Sequence, residues 1–154
     1  MHDAAMTSWT DFAAAEPELA ARVQACFAVR KHATLATLRL DGSPRISGSE
    51  VQFADDGLFL GSMQGARKAA DLQRDPRFAL HCPTVDAVPG DEGSWFGDAK
   101  VSGVAIEVAE GPGGSHRFAL DLLEVVHTRL GTPADHLVIE SWHPGRGLRR
   151  IERR

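Results

Sequence analysis

Several residue types and patterns are scarce or missing in this 154-residue sequence, and each absence excludes a class of protein. The chain has no tyrosine and only two cysteines, Cys26 and Cys82, which lie in apolar contexts without the spacing of a zinc site. No run approaches the roughly 18 apolar residues of a membrane span, and no basic start precedes an apolar stretch. We therefore expect a cytoplasmic protein with two buried, reduced thiols and no membrane association.

The charge balance argues against nucleic acid as a partner. The formal net charge is −4, whereas general nucleic-acid binders carry a basic surface. Five arginines nonetheless fall within residues 146–154. They indicate either a solvated basic end or a clamp for an anionic ligand or a partner subunit. Nucleic-acid binding by this tail is a minor alternative, which would show a steep salt dependence.

Signatures of hydrolases and metalloenzymes are also missing from the sequence. Seven histidines are scattered without HxxxH or HExxH spacing, and no GxSxG motif occurs. His81 and Cys82 are adjacent, which is too close in sequence for a site by themselves. We therefore expect no metal, and we assign no acid–base or nucleophilic residue.

The most informative stretch is residues 58–76, LFLGSMQGARKAADLQRDP. It predicts a strand that ends at Ser62, a glycine turn, and a helix that begins at Arg67 and is ended by Pro76. The first N–H groups of a helix lack partners, and the helix dipole favours an anion there. A hydroxyl, a guanidinium and an ammonium, from Ser62, Arg67 and Lys68, lie at this same end. The pattern is typical of a phosphate site, although an exposed basic patch would show the same spacing.

The other segments predict many short strands with two or three helices. Residues 7–31 carry apolar residues every four positions, which favours a helical cover over a sheet. Strands are predicted at residues 33–40, 45–53, 58–62, 78–82, 100–108, 137–142 and 147–152. Gly103 indicates a bulge, and residues 118–130 fit a helix or a strand. The expected fold is one mainly β domain with helical covers, in the form of a small barrel.

These segments together resemble the pyridoxamine 5'-phosphate oxidase-like superfamily of flavin-binding split barrels, in the branch that includes users of the deazaflavin F420. The resemblance covers about residue 33 to the end. It rests on the order and spacing of ATLAT (33–37), DGSP (41–44), GSMQGARK (61–68), DL (71–72) and DPR (75–77). It implies a one-domain split β-barrel, with residues 1–32 as an N-terminal helical segment and residues 33–154 as the cofactor-binding barrel. It also implies that residues 118–127 form a strand.

The resemblance further implies where a cofactor binds. Ser62, Arg67 and Lys68 would hold its phosphate, and residues 47–50 would run beneath its ring system. Trp142 and Arg153 match a tryptophan and an arginine that contact the flavin in the oxidases, although a tryptophan alone is more typical of a core. The implied cofactor-binding residues are Ser47, Gly48, Ser49, Glu50, Ser62, Met63, Arg67, Lys68, Trp142 and Arg153.

The sequence thus predicts an FMN-binding oxidoreductase that transfers two electrons to or from a small organic substrate. The resemblance implies a homodimer with its sites at the subunit interface. One alternative is an F420-dependent reductase of the same fold. Another is a non-catalytic cofactor-binding protein or a degenerate barrel, because Ala66 stands where the oxidases have a hydroxyl residue.

Overall fold

The computed structural model describes residues 5–154, which form three α-helices and one nine-stranded antiparallel sheet. The helices are α1 (Trp9–Ala15), α2 (Pro17–Ala28) and α3 (Arg67–Arg74). The strands are β1 (Ala33–Leu38), β2 (Pro44–Ser49), β3 (Val51–Ala54), β4 (Gly57–Ser62), β5 (Arg77–His81), β6 (Asp98–Glu110), β7 (His116–Leu130), β8 (Leu137–His143) and β9 (Gly147–Arg153). The prediction of a mainly β domain with helical covers is therefore confirmed. The longest described helix, α2, has 12 residues, and no described helix is long and apolar enough to cross a membrane.

The sheet divides along β7, its longest strand. The strand order is β2-β1-β5-β6-β7-β4-β3, and β8 and β9 are added beside β7. One edge of β7 pairs with β6, while the other pairs with β4 over residues 116–119 and with β8 over residues 125–130. The strand implied at residues 118–127 is thus confirmed. Two limbs, β4-β3 and β8-β9, diverge from this one strand.

The prediction of a single strand over residues 45–53 is wrong. The segment forms β2 and β3 with Glu50 between them, because the two halves pair in different places. β2 pairs with β1 at one end of the sheet, and β3 pairs with β4 at the other end. Glu50 therefore marks the point where the chain crosses between two parts of the barrel.

The N-terminal helices share one hydrophobic core with the barrel. Ser8 caps α1 by accepting the Asp11 N–H at 3.2 Å, and Pro17 begins α2 without losing an intrahelical bond. In the core, the ring of Trp9 lies 4.8 Å from that of Phe53 on β3, and Phe12 lies 4.8 Å from Trp142 on β8. The helices therefore cover the sheet as the sequence predicts.

Thr7 occupies the gap where the two limbs diverge. Its N–H donates to the carbonyl of Leu122 at 3.0 Å, and its own carbonyl accepts the Leu122 N–H at 2.7 Å. Leu122 lies on β7 between the residues that pair with β4 and those that pair with β8. The chain thereby satisfies backbone groups that the divergence would leave unpaired.

Gly103 lies at a β-bulge, as the sequence predicts. The pairing of β6 with β7 shifts register between Ser102 and Gly103. A Cβ atom at Gly103 would overlap the carbonyl oxygen of Asp121 on β7. The close approach of the two backbones at this point requires a residue without a side chain.

We expect Gly103→Ala to lower the free energy of unfolding by about 1–3 kcal/mol, because the new methyl group forces the paired strands apart. Urea unfolding followed by circular dichroism would measure the change. The matched control is Gly48→Ala, also in a strand, where a Cβ meets nothing within 4 Å. If Gly103→Ala and Gly48→Ala unfolded at the same urea concentration, the close approach of β6 and β7 would not be what requires glycine at position 103.

Candidate functional site

A cleft of about 450 Å³ lies among β2, β4, the start of α3 and the start of β7. Its size falls in the range of about 300–1,000 Å³ that is typical of small-molecule sites. The cleft is lined by His32, Gly48, Ser49, Glu50, Gly61, Ser62, Met63, Lys68, Ser115 and His116. Polar and charged side chains dominate this set, so the cleft suits a polar or ionic ligand.

Two glycines leave part of the cleft wall without side chains. Gly48 on β2 and Gly61 on β4 each have no neighbouring atom within 4 Å of an added Cβ. Ser62, which follows Gly61, is only 7% exposed, and its hydroxyl makes one long contact of 3.5 Å with the Met63 carbonyl. A ligand can therefore approach the backbone of both strands closely and still find a hydroxyl donor.

Lys68 is the cation of the cleft. Its Nζ donates to the Gly48 carbonyl at 3.0 Å and to the Ser49 hydroxyl at 2.9 Å, which uses two of its three protons. Burial lowers the pKa of Lys68. An anion in the cleft would accept a hydrogen bond from the third N–H of the ammonium and offset the cost of burying its charge.

The N-terminus of α3 lies beside this lysine. Ala66 precedes the helix in an extended conformation and supplies no side-chain cap. The first N–H groups of the helix, at Arg67 and Lys68, therefore have no capping acceptor from Ala66. They offer further donors to an anion, and the helix dipole acts in the same direction.

Asp71 anchors α3 to the sheet. This carboxylate is 3% exposed and accepts hydrogen bonds from Thr37 on β1 (2.8 Å), Arg45 on β2 (2.7 Å) and Arg74 (3.0 Å). Burial alone would raise the pKa of Asp71, but the hydrogen bonds from Arg45, Thr37 and Arg74 outweigh it and lower the pKa to about 2. Because Asp71 lies three residues after Lys68, the anchor also fixes the lysine over the end of β2.

Two histidines, His32 and His116, line the cleft without having been predicted there. His116 Nδ1 lies 2.7 Å from Glu107 Oε1, and this contact is the main reason that the pKa of Glu107 is lowered. His32 lies 3.4 Å from Glu50. Only the pairing of β4 with β7, which sets Ser62 opposite His116, brings the second histidine to the site. Local spacing carries no signal for that contact.

Solved structures of other proteins share this architecture. PhzG from Burkholderia lata 383, in complex with tetrahydrophenazine-1-carboxylic acid, matches with a TM-score of 0.64 and 12% identity over 92% of this chain and 91% of that one. A pyridoxamine 5'-phosphate oxidase-related, FMN-binding protein from Nostoc punctiforme matches with a TM-score of 0.64 and 11% identity over 90% and 96%. The chain has the split-barrel fold of pyridoxamine 5'-phosphate oxidase-like proteins. The resemblance seen in the sequence is thus confirmed for the fold.

One structure with a similar fold is that of a heme protein, so the fold alone does not specify the ligand. HutZ, the heme storage protein from Vibrio cholerae, matches with a TM-score of 0.51 and 18% identity over 70% of this chain and 89% of that one. Neither a scan against protein-family models nor a search of curated proteins finds a match to this sequence.

The split barrel brings six of the ten predicted cofactor residues into the cleft. They are Gly48, Ser49, Glu50, Ser62, Met63 and Lys68. Ser47 is half-buried on β2 opposite Leu35, next to the cleft lining, and Arg67 is exposed at the start of α3. The assignments of Ser47 and Arg67 to a cofactor stay predictions.

Trp142 and Arg153 lie apart from the cleft within one chain. Trp142 faces inward on β8 against Phe12 and is 6% exposed, so it serves the core and offers little surface to a cofactor. The assignments of Trp142 and Arg153 to a cofactor stay predictions. Arg153 lines a separate depression with Asp135 and Leu137.

We expect Asp71→Asn to lower the free energy of unfolding at pH 7 by at least about 2 kcal/mol, because the pKa of this carboxyl falls from 3.8 to about 2 on folding. A carboxyl whose pKa is lowered by folding stabilises the folded state above about pH 4. This contribution to the free energy of unfolding is lost as the pH falls towards 2. The variant should therefore show a shallower stability loss between pH 4 and pH 2 in urea titrations. Asp75→Asn, which removes a surface pair with Arg77, is the control and should change stability less. If the free energy of unfolding varied with pH in the same way in the wild type, Asp71→Asn and Asp75→Asn, Asp71 would not anchor α3 as described.

Proposed function

We propose that this split barrel binds FMN by its phosphate in the cleft and acts as an oxidoreductase on a small organic substrate. The observation that carries the proposal is Lys68, a half-buried ammonium at a helix N-terminus with two protein partners and one donor left. A phosphate is the group for which such an arrangement is suited. The similarity in fold to an FMN-binding protein supports this choice.

The residues of the cleft fit a phosphorylated flavin. Ser62 and Lys68 supply donors for the phosphate, and Gly48 and Gly61 leave space for a flat ring against the backbone. Bound FMN would supply the two-electron chemistry. The protein would bind and orient it and exclude water. Glu50, an exposed carboxylate beside Lys31 and His32, would lie away from the phosphate and towards the solvent side.

A homodimer is part of the proposal, because one chain leaves the cleft open. Ile106 and Val108, each 49% exposed, flank Glu107, which contacts His116 in the cleft wall. Exposed apolar side chains beside a binding site are typical of a surface that another chain covers. A second copy of the chain would supply the missing wall and could bring Arg153 to it.

Two other ligands compete with FMN for the same cleft. F420 carries phosphate as FMN does, so Lys68 would serve both. Heme is a candidate for a different reason. His32 and His116 both line the cleft, and histidine is a common axial ligand of heme iron. HutZ, whose fold is similar, is a heme storage protein.

A titration of the purified protein with FMN, F420 and hemin separates these candidates. We expect FMN to bind one molecule per chain with a Kd below about 10 μM, seen as a change in flavin absorbance and fluorescence. F420 or hemin binding more tightly than FMN would overturn the choice of cofactor. Failure of both FMN and F420 to bind would overturn the oxidoreductase proposal and leave a non-catalytic barrel.

We expect Lys68→Ala to weaken FMN binding by about 10- to 100-fold, because a charge-assisted hydrogen bond contributes about 1.5–3 kcal/mol. The affinity for riboflavin, which lacks the phosphate, should not change. Lys100→Ala on β6, outside the cleft lining, is the matched control, and Arg67→Ala tests whether the exposed guanidinium also reaches the phosphate. An equal loss of riboflavin affinity in Lys68→Ala would mean that the lysine does not contact the phosphate.

A further inference from the structure

A second group of chemically active side chains lies apart from the cleft, where β5 ends beside the start of β6. One ligand atom from each of His81, Cys82 and Asp98 lies within 4.8 Å of the others. The backbone brings them together: the Cys82 N–H donates to the Ala99 carbonyl at 2.9 Å, so the chain pairs across this end of the sheet. Cys82 is 1% exposed, and the other two residues are half-buried.

His81 is held in one orientation. Its Nδ1 lies 2.6 Å from the carbonyl oxygen of Cys82. A ring N–H must be the donor in this contact, which leaves the lone pair on Nε2. A backbone carbonyl that fixes the tautomer in this way is the usual partner of a metal-binding histidine.

Asp98 carries a polar atom that the fold leaves without a partner. Its Oδ1 is buried and makes no hydrogen bond within residues 5–154. A buried carboxylate oxygen without a donor or a cation destabilises a fold by the full cost of its desolvation. A bound cation would remove that cost.

The sulfur of Cys82 accepts a backbone hydrogen bond. The Ala99 N–H points to its Sγ at 3.2 Å, and the thiol of Cys26 is its neighbour. The thiol of Cys26 donates to the Phe96 carbonyl at 3.2 Å, so it has a backbone partner of its own. Cys26 is therefore a neighbour of the group and is not one of its three residues.

We propose that His81, Cys82 and Asp98 bind a divalent cation of the Zn²⁺ class. Sulfur, nitrogen and oxygen donors together favour Zn²⁺ over Mg²⁺ or Ca²⁺, which prefer oxygen alone. Zn²⁺ bonds of about 2.0–2.3 Å keep ligand atoms within about 4 Å of one another. Small side-chain movements from the present 4.8 Å therefore suffice.

The fourth position of the metal is open to a small cavity. His81 and Asp98 line a depression of about 180 Å³ together with Lys100, Val126 and Thr128. Three protein ligands with one open position is the arrangement of zinc sites that accept water or another small ligand. Lys100 is the cationic residue of this lining, and its side chain is exposed, where solvent screens its repulsion of the metal.

Cobalt titration of the chelator-treated full chain, with a phosphine reductant to keep the thiols reduced, tests the proposal. We expect one Co²⁺ per chain and a thiolate-to-cobalt absorption band in the near ultraviolet, which Zn²⁺ displaces. Cys82→Ser should abolish the band. His81→Gln and Asp98→Asn should each weaken Co²⁺ binding by more than about tenfold, since even partners of metal ligands contribute 10- to 100-fold.

Matched controls use the same residue types elsewhere. His136→Gln removes another histidine that pairs with an aspartate, Asp135, at 2.7 Å, and Cys26→Ser changes the neighbouring thiol. Both should keep the band. The proposal is overturned if Co²⁺ does not bind, if the band survives Cys82→Ser, or if Asp98→Asn binds Co²⁺ as the wild type does. Asp98→Asn preserves the shape of the side chain, so its far-ultraviolet circular dichroism should confirm that it folds.

Discussion

The buried carboxylate of Asp71 is the constraint on which the cleft depends. A charge with 3% exposure is tolerated only because Thr37, Arg45 and Arg74 surround it with donors. Two of these donors come from β1 and β2, so the carboxylate joins α3 to the sheet. Any movement of α3 would leave the buried charge of Asp71 unpaired. The groups at the N-terminus of α3 are therefore held in fixed positions.

Helix α3 carries both the anion that stabilises the fold, Asp71, and the cation that is available to a ligand, Lys68. Asp71 accepts a hydrogen bond from Arg45 near the beginning of β2. Lys68 donates hydrogen bonds to Gly48 and Ser49 at the end of β2. The strand is therefore held at two points by side chains one helical turn apart. A site preorganised in this way loses little entropy when it binds an anion.

Much of the fold and part of the cleft could be predicted from the sequence, because their signals are local. The glycine turn and the basic pair after β4 mark the strand-to-helix junction, and the structure has α3 beginning at Arg67 as predicted. Gly103 marks the bulge for an equally local reason, a close approach between two backbones. Residue patterns of this kind depend on a few neighbours in the chain.

The errors and omissions come from long-range pairing. The strand break at Glu50 was not predicted because residues 45–53 alternate without interruption, and only their separate partners divide them. His116 reaches the cleft through the register of β4 with β7, which no local pattern specifies. The core position of Trp142 likewise depends on a residue distant in sequence, Phe12, whose ring lies 4.8 Å from it.

The short pairing between Thr7 and Leu122 has a mechanical consequence. It closes the notch at which the two limbs separate, and the aromatic rings that follow it reach one limb each, Trp9 to Phe53 and Phe12 to Trp142. The first described segment of the chain is therefore a brace between the strands that carry the cleft and the strands that carry the arginine-rich end. Cutting this brace would let the two halves of the barrel hinge about β7, and the geometry of any site shared between them would loosen with it.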